Sequence, residues 1–247
     1  MSTSVGRLQQ ALYQLKTIGA RYPRLVVPAA RLRGRGVPIG TDTDIVIEGF
    51  PRSANTFTVA AFTMSQRRPV RVAHHLHAPG HVIAAVRRGL PALVLVRQPE
   101  DAVLEYVIRR PGLGLTQAAR GYVRFYQPLM PYVDAFVVGS FEQVTTNLGA
   151  VIRQVNRAFG TSFEEFDHSE DNVRRVFEAI ELDYSGAYEA GDELEVAVAR
   201  PSALREDMKT ALRGRYRAEV PAGLRVAAVR LHDSLCRPAG RDHRPGA

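Results

Sequence analysis

Residues 45–58, IVIEGFPRSANTFT, decide the fold: an apolar β-type run empties into a Pro-Arg-Ser turn, and an Asn-Thr pair then opens a helix-compatible stretch. A strand that delivers the backbone to a tight turn before a helix builds an anion site, because the first N–H groups of the helix are unpaired and carry partial positive charge. Arg52, Ser53, Asn55 and Thr56 offer further side-chain donors there. The expected ligand is a phosphate or sulfate ester. A nucleoside-triphosphate loop requires G-x-x-x-x-G-K-[ST], and after Gly49 the chain reads FPRSANTF, with neither the second Gly nor the Lys.

Working outward, the runs Ile45–Phe50, Val70–His74, Leu93–Val96 and Ala135–Val138 read as strands, each followed by a plausible helix. Helical patterns cover about 55–66, 79–88, 99–110, 115–129, 142–159, 170–182, 201–213 and 221–235. Strands alternating with helices imply α/β class with a parallel sheet, and strands apolar on both faces imply a three-layer sandwich with helices flanking it. Ligand loops then lie at the carboxyl ends of the strands. The expected organisation is an N-terminal helix and extension over 1–43, one α/β domain over 44–235 and a basic tail over 236–247. In the extension, Val5, Leu8, Leu12 and Leu15 are spaced as in an amphipathic helix, and residues 21–43 are broken up by Pro, Arg and Gly.

The chain has 247 residues, 45% hydrophobic and 23% charged, which is ordinary globular composition. No stretch approaches the roughly 18 consecutive apolar residues of a membrane span, and the N-terminus lacks a signal-type apolar core. A single cysteine, Cys236, excludes an internal disulfide and fits a reducing cytoplasm. The net charge of +8 argues for an anionic partner. Zinc-finger spacing, a basic zipper and an aromatic RNA-binding consensus are all missing, so a charged nucleotide fits better than nucleic acid. A basic amphipathic N-terminus also allows weak contact with a membrane surface.

Pro51-Arg52-Ser53-Ala54-Asn55-Thr56-Phe57 resembles the 5'-phosphosulfate loop of the sulfotransferase family, Pro-Lys/Arg-Ser-Gly-Thr/Asn-Thr-Trp/Phe, with Ala54 replacing Gly. Residues 93–110, LVLVRQPEDAVLEYVIRR, are similar to that family's 3'-phosphate segment: strand, Arg, x, Pro, x, Asp, helix. The resemblance spans about residues 44–162 and implies a P-loop-like fold. It also implies transfer of a sulfonate group from 3'-phosphoadenosine 5'-phosphosulfate to a hydroxyl of a small-molecule, glycan or lipid acceptor, without a metal. On it, Arg97 binds the 3'-phosphate, and the helix Ser that completes that site in the family is Glu105 here. A carboxylate about 4 Å from a phosphate charge costs on the order of 4 kcal/mol per charge pair near a protein surface. Pairing of Glu105 with Arg109, four residues on, would turn the carboxylate away. A different donor, a non-catalytic nucleotide- or phosphate-binding protein and a kinase-like enzyme are the other readings.

Val138-Gly139-Ser140-Phe141-Glu142-Gln143-Val144 is similar to the family's Tyr-Glu-Asp-Leu segment, so Phe141 either stacks on adenine or is a core residue. Arg200, Ser202, Arg205 and Lys209 loosely resemble the C-terminal donor-binding loop. Four of seven histidines fall in His74-His75-Leu76-His77-Ala78-Pro79-Gly80-His81, where the family keeps its general base. Aligning His-Leu nominates His75, with His77 on the same side of an extended chain as runner-up. A structural His cluster and a metal site are the alternatives, the metal disfavoured because successive strand positions face opposite ways. Arg52, with Ser53 and Thr56, is expected to stabilise the departing oxygens. No copy of the Lys/Thr/Val/Glu dimer string of some family members occurs, and the sequence assigns no oligomeric state.

Overall fold

The computed structural model describes residues 13–34, 36–186, 188 and 191–237. The start of the expected N-terminal helix and the basic tail from 238 lie outside them. Four parallel strands, β1 (Ile45–Gly49), β2 (Val72–His74), β3 (Ala92–Val96) and β4 (Val137–Ser140), form a sheet in the order β2-β1-β3-β4. The registers pair Ile47 with His74, Gly49 with Leu95 and Val96 with Ser140.

Alternation along the strands divides the core. Val46, Val94 and Val96 face one helix layer, made by α3 (Pro79–Arg87), α4 (Pro99–Arg109), α5 (Leu115–Tyr126) and α11 (Ala222–Cys236). Ile45, Ile47, Leu93 and Leu95 face the other, made by α2 (Asn55–Ser65), α6 (Phe141–Thr146), α7 (Leu148–Phe159) and α8 (Glu170–Ser185). Both sheet faces are thereby removed from water, which is why these strands read as near-continuous apolar runs. The expected α/β three-layer sandwich with a central parallel sheet is the architecture observed.

Three local expectations change. The segment 21–43, read as an irregular extension, contains α1 (Pro23–Arg33). Pro23 occupies the first helical position, where no N–H is needed, and the interior Pro28 lies on the exposed side. The pattern read as one helix over 142–159 is two, because Asn147 caps α7 by accepting from Ala150 N–H at 3.2 Å. The helix expected over 115–129 ends at Tyr126, and a 3-10 segment continues to Ala135. Two further helices, α9 (Asp192–Ala197) and α10 (Ala203–Glu219), complete the described chain.

The N-terminal segment is tied to the sheet. Val37 and His74 exchange two backbone hydrogen bonds at 2.9 Å, capping the exposed edge of β2. Gly80 N–H donates to Ala20 O at 2.8 Å, and any Cβ on Gly80 would meet that same oxygen at 2.8 Å, so only glycine lets residues 20–23 cross α3.

Connections from β1 leave toward β2, and the chain then crosses β1 to reach β3, so the sheet's topological switch point lies between β1 and β3. Parallel α/β sheets bind ligands beyond the strand ends at such a point. The loop 50–54 follows β1 and Arg97 follows β3, so both segments singled out in the sequence flank it.

Candidate functional site

A cleft of about 1640 Å³ opens over the switch point. Pro51, Arg52, Ala54, Asn55, Thr56, Phe57, His75, His77, Arg97, Glu105, Phe141, Arg200, Ser202 and Arg205, all nominated from sequence, line it. Ser53 does not. Its side chain is fully buried, with Oγ 3.5 Å from the Tyr126 hydroxyl, so its proposed role as a ligand donor is corrected to a role in holding the loop. The Asn55 side chain is likewise turned inward, donating through Nδ2 to Phe50 O at 3.1 Å.

The loop that opens α2 is strained. Arg52 (φ 70°) and Ala54 (φ 65°) are both left-handed, a region that costs a residue with a Cβ roughly 1–2 kcal/mol. The strand before it packs too closely on β3 for a side chain: a Cβ on Gly49 would lie 2.6 Å from Leu95 O. Tyr126 on α5 secures it, accepting from Phe50 N–H at 3.2 Å and donating to Leu95 O at 2.7 Å. One helical turn earlier, Tyr122 donates to Arg97 O at 2.8 Å. Two tyrosines at i and i+4 thus fix the carboxyl ends of β1 and β3 relative to each other.

Glu105 does not pair with Arg109, whose guanidinium instead contacts the Tyr188 hydroxyl and lies 4.8 Å from that ring's centroid. The Glu105 carboxylate points into a cluster of cations. It lies 3.1 Å from Arg52, 3.2 Å from Arg205, 3.5 Å from Lys209 and 3.9 Å from Arg97. Burial works against its charge, yet Arg52, Arg97, Arg205 and Lys209 outweigh this and hold its carboxyl below the usual range. Burial likewise lowers the pKa values of Arg97 and Arg205. Glu206 meets Lys209 at 2.5 Å, so two carboxylates face four cations and the cluster keeps a net positive charge. Arg97 also donates to Arg52 O at 3.0 Å and stacks its guanidinium 4.0 Å above the Phe141 ring centre. Phe141 is half-buried on the cleft wall, not in the core.

Arg200 and Ser202 contribute differently from what the sequence led us to expect. Arg200 pairs with Glu181 and Glu195, and Ser202 caps α10 through Arg205 N–H at 3.5 Å. Arg205 binds Glu195 O and Arg200 O besides Glu105, so it staples α9 and the following loop over the cluster.

The histidines form a second group. Glu48, wholly buried at the penultimate position of β1, accepts from Leu76 N–H at 2.6 Å, His77 N–H at 3.0 Å and His81 Nδ1 at 3.0 Å. Burial resists its ionisation, but the His81 hydrogen bond and the neighbouring histidines hold its pKa down. His81 Nε2 accepts from Ile39 N–H at 3.2 Å, so its Nδ1 carries the proton and the ring is neutral. This carboxylate holds His75 (φ 61°) and His77 (φ 49°) in left-handed conformations at the cleft wall.

Both ring nitrogens of His75 are occupied: Nδ1 lies 2.5 Å from His74 Nδ1, and Nε2 lies 3.1 Å from Thr56 Oγ1. Burial, with His77 and His74 nearby, pushes its pKa down to about 3. His77 differs. Its Nδ1 lies 2.9 Å from Gly49 O, an acceptor only, so Nδ1 carries the proton and Nε2 is the basic nitrogen of the neutral ring.

No protein-family model matches the chain, and no curated protein matches it in sequence. Among solved structures it is similar to the mouse sulfotransferase SULT7A1 complexed with PAP, at 11% identity, covering 87% of this chain and 91% of that one with a TM-score of 0.44.

Glu48, Tyr122 and Tyr126 escaped the sequence reading, and His81 entered it only as a member of the histidine string. The one signal for Glu48 is a carboxylate inside an otherwise apolar strand, where charge is tolerated only with partners. Among the described residues no group of three or more His, Cys, Asp or Glu is placed to hold a metal.

Proposed function

We propose that the protein is a sulfotransferase that uses 3'-phosphoadenosine 5'-phosphosulfate as donor and a hydroxyl compound as acceptor. The observation that carries this reading is the convergence, at one switch point, of the α2 loop, the cations Arg52, Arg97, Arg205 and Lys209, and the basic nitrogen of His77. Three of these cations, Arg52, Arg97 and Arg205, line the cleft and suit a ligand with several anionic groups, with Lys209 buried beside Glu105, and the α2 N-terminus suits its sulfate end. Phe141, already stacked on Arg97, offers a ring face for the base.

In the transfer, the acceptor oxygen bonds to sulfur, the bond from sulfur to the bridging phosphate oxygen breaks, and His77 Nε2 takes the acceptor proton. The negative charge that builds up on the departing phosphate oxygen falls to Arg52 and the α2 N–H groups. His77 is assigned the base role over His75 because its accepting nitrogen is available and its partner carbonyl favours the required tautomer. H77A is expected to lower turnover by roughly 10²–10⁴-fold, with the affinity for adenosine 3',5'-bisphosphate unchanged. An H77A enzyme as fast as the parent rejects that assignment.

A second reading, a nucleotide-binding protein without transfer activity, is favoured by Glu105, whose charge competes with any phosphate for the same cations. Calorimetry with the bisphosphate and a transfer assay over phenolic, glycan and lipid hydroxyls separate the two. Binding with transfer supports the enzyme, binding alone supports the second reading, and no binding rejects both.

A further inference from the structure

The chain's positive charge is concentrated at one end. Residues 1–41 hold seven Lys and Arg and no Asp or Glu, so seven of the eight net charges lie in the first sixth of the chain, and residues 42–247 carry only +1. The exposed large apolar side chains are concentrated there too. Leu15 (66% exposed), Ile18 and Tyr22 follow i, i+3, i+7 spacing on the helical stretch 13–19 and just beyond it. Leu25 (60%), Pro28 and Leu32 (89%) repeat the spacing on α1. That spacing puts each trio on one side of its helix.

The opposite side of α1 is accounted for. Val27 and Ala30 are buried, and α1 packs on α3. The outward stripe is therefore not turned out by a loose helix. Exposed Lys16, Arg21 and Arg24 accompany the two stripes, and Leu15 and Leu25 also line the cleft, so this surface forms part of its mouth. Among the described residues no helix is long and apolar enough to cross a membrane.

We infer that this N-terminal surface seats the protein on an anionic lipid bilayer, with the apolar stripes entering the headgroup boundary and the basic side chains meeting lipid charge. Apolar stripes accompanied by Lys and Arg, on a segment that holds no acid before Asp42, are what interfacial adsorption needs. A nucleic acid would use the charge but leave the leucines in water. A second copy pairing through the same end would use the leucines but set like charges against each other. Seated this way, the cleft opens toward the lipid phase. If the transfer reading holds, a lipid-borne hydroxyl is then the acceptor class; bilayer binding itself does not depend on that reading.

The test is co-sedimentation of the full chain with phosphatidylcholine vesicles, with and without about 30 mol % phosphatidylglycerol, in low salt. Binding is expected on the anionic vesicles, with little on the neutral ones. R21Q/R24Q should weaken it about 25-fold, at about fivefold per basic residue. L32S should weaken it about tenfold through lost apolar burial. Both variants alter exposed positions, and unchanged circular dichroism melts will show that they fold. Absence of binding to anionic vesicles, or equal binding by parent and both variants, overturns the inference. So does tight binding to a DNA duplex in place of vesicles, or a dimer in light scattering that L32S converts to monomer. Because the readout is sedimentation, its failure leaves the catalytic assignment to be judged by the bisphosphate titration.

Discussion

Replacing Glu105 by Gln keeps the shape of the side chain and removes the one negative charge at the centre of four cations. The distances of 3.1, 3.2, 3.5 and 3.9 Å put every pair in the range where a near-surface ion pair interacts by about 4 kcal/mol before desolvation is subtracted. Breaking a buried pair by removing one partner typically costs about 3–5 kcal/mol, because the remaining charges lose their compensation. For a chain of this length that corresponds to a fall in Tm of roughly 6–20 °C. The same vacancy of charge strengthens the site for a ligand anion. If only a third of one 4 kcal/mol repulsion survives screening, the Kd for adenosine 3',5'-bisphosphate tightens about tenfold. Differential scanning fluorimetry with and without sulfate, alongside calorimetry with the bisphosphate, reads both effects. E105Q should melt lower than the parent in plain buffer and regain more of its Tm than the parent gains as sulfate is added. Equal melting of the two proteins, with no difference in sulfate response or bisphosphate affinity, would refute the idea that Glu105 acts as a resident anion.

Glu48→Gln should destabilise the fold by about 2–3 kcal/mol, since an amide cannot accept from Leu76 N–H, His77 N–H and His81 together, and amide hydrogen exchange should rise at residues 76 and 77. Ala54→Gly relieves a left-handed Cβ at φ 65° and, net of the added unfolded-state freedom, should raise stability by roughly 0.5–1 kcal/mol in urea denaturation. A drop in stability would mean that the Ala54 methyl packs better than its backbone suffers. His75 is neutral in the fold, with a pKa pushed from 6.5 down to about 3, so the unfolded chain binds the extra proton between those values. Its contribution is intact above pH 6.5 and is lost at up to about 1.4 kcal/mol per pH unit as pH falls toward 3. H75Q should flatten that part of the stability profile measured by denaturant titration, and an unchanged slope would assign the acid sensitivity elsewhere. Glu48 and Glu105, held below the ordinary carboxylate value of 4.5, add losses only as pH falls below it.

Much of the scaffold was legible because its signals are local. Apolar runs such as Ile45–Ile47 and Leu93–Val96 can be buried only between two helix layers, and the Pro-Arg-Ser turn before Asn55 announces a helix N-terminus at a strand end. The helix over Pro23–Arg33 was hidden by two prolines that a helix start and an exposed face tolerate. The charge partners were hidden for another reason. Glu105 meets Arg52 across 53 residues and Arg205 across 100, whereas the neighbour that helical spacing offered it, Arg109, turns to Tyr188.

What the sequence by itself determined is where the candidate site lies: a strand–turn–helix segment and an arginine at adjacent strand ends, with histidines nearby. Only the tertiary structure decided that Ser53 faces inward, that Glu105 sits among the cations, and that His77 presents a basic nitrogen while His75 is occupied on both sides. The reason is physical. Backbone propensity and hydrophobic period act over a few residues, but the protonation, pairing and direction of a polar side chain depend on burial and on groups brought together from distant parts of the chain.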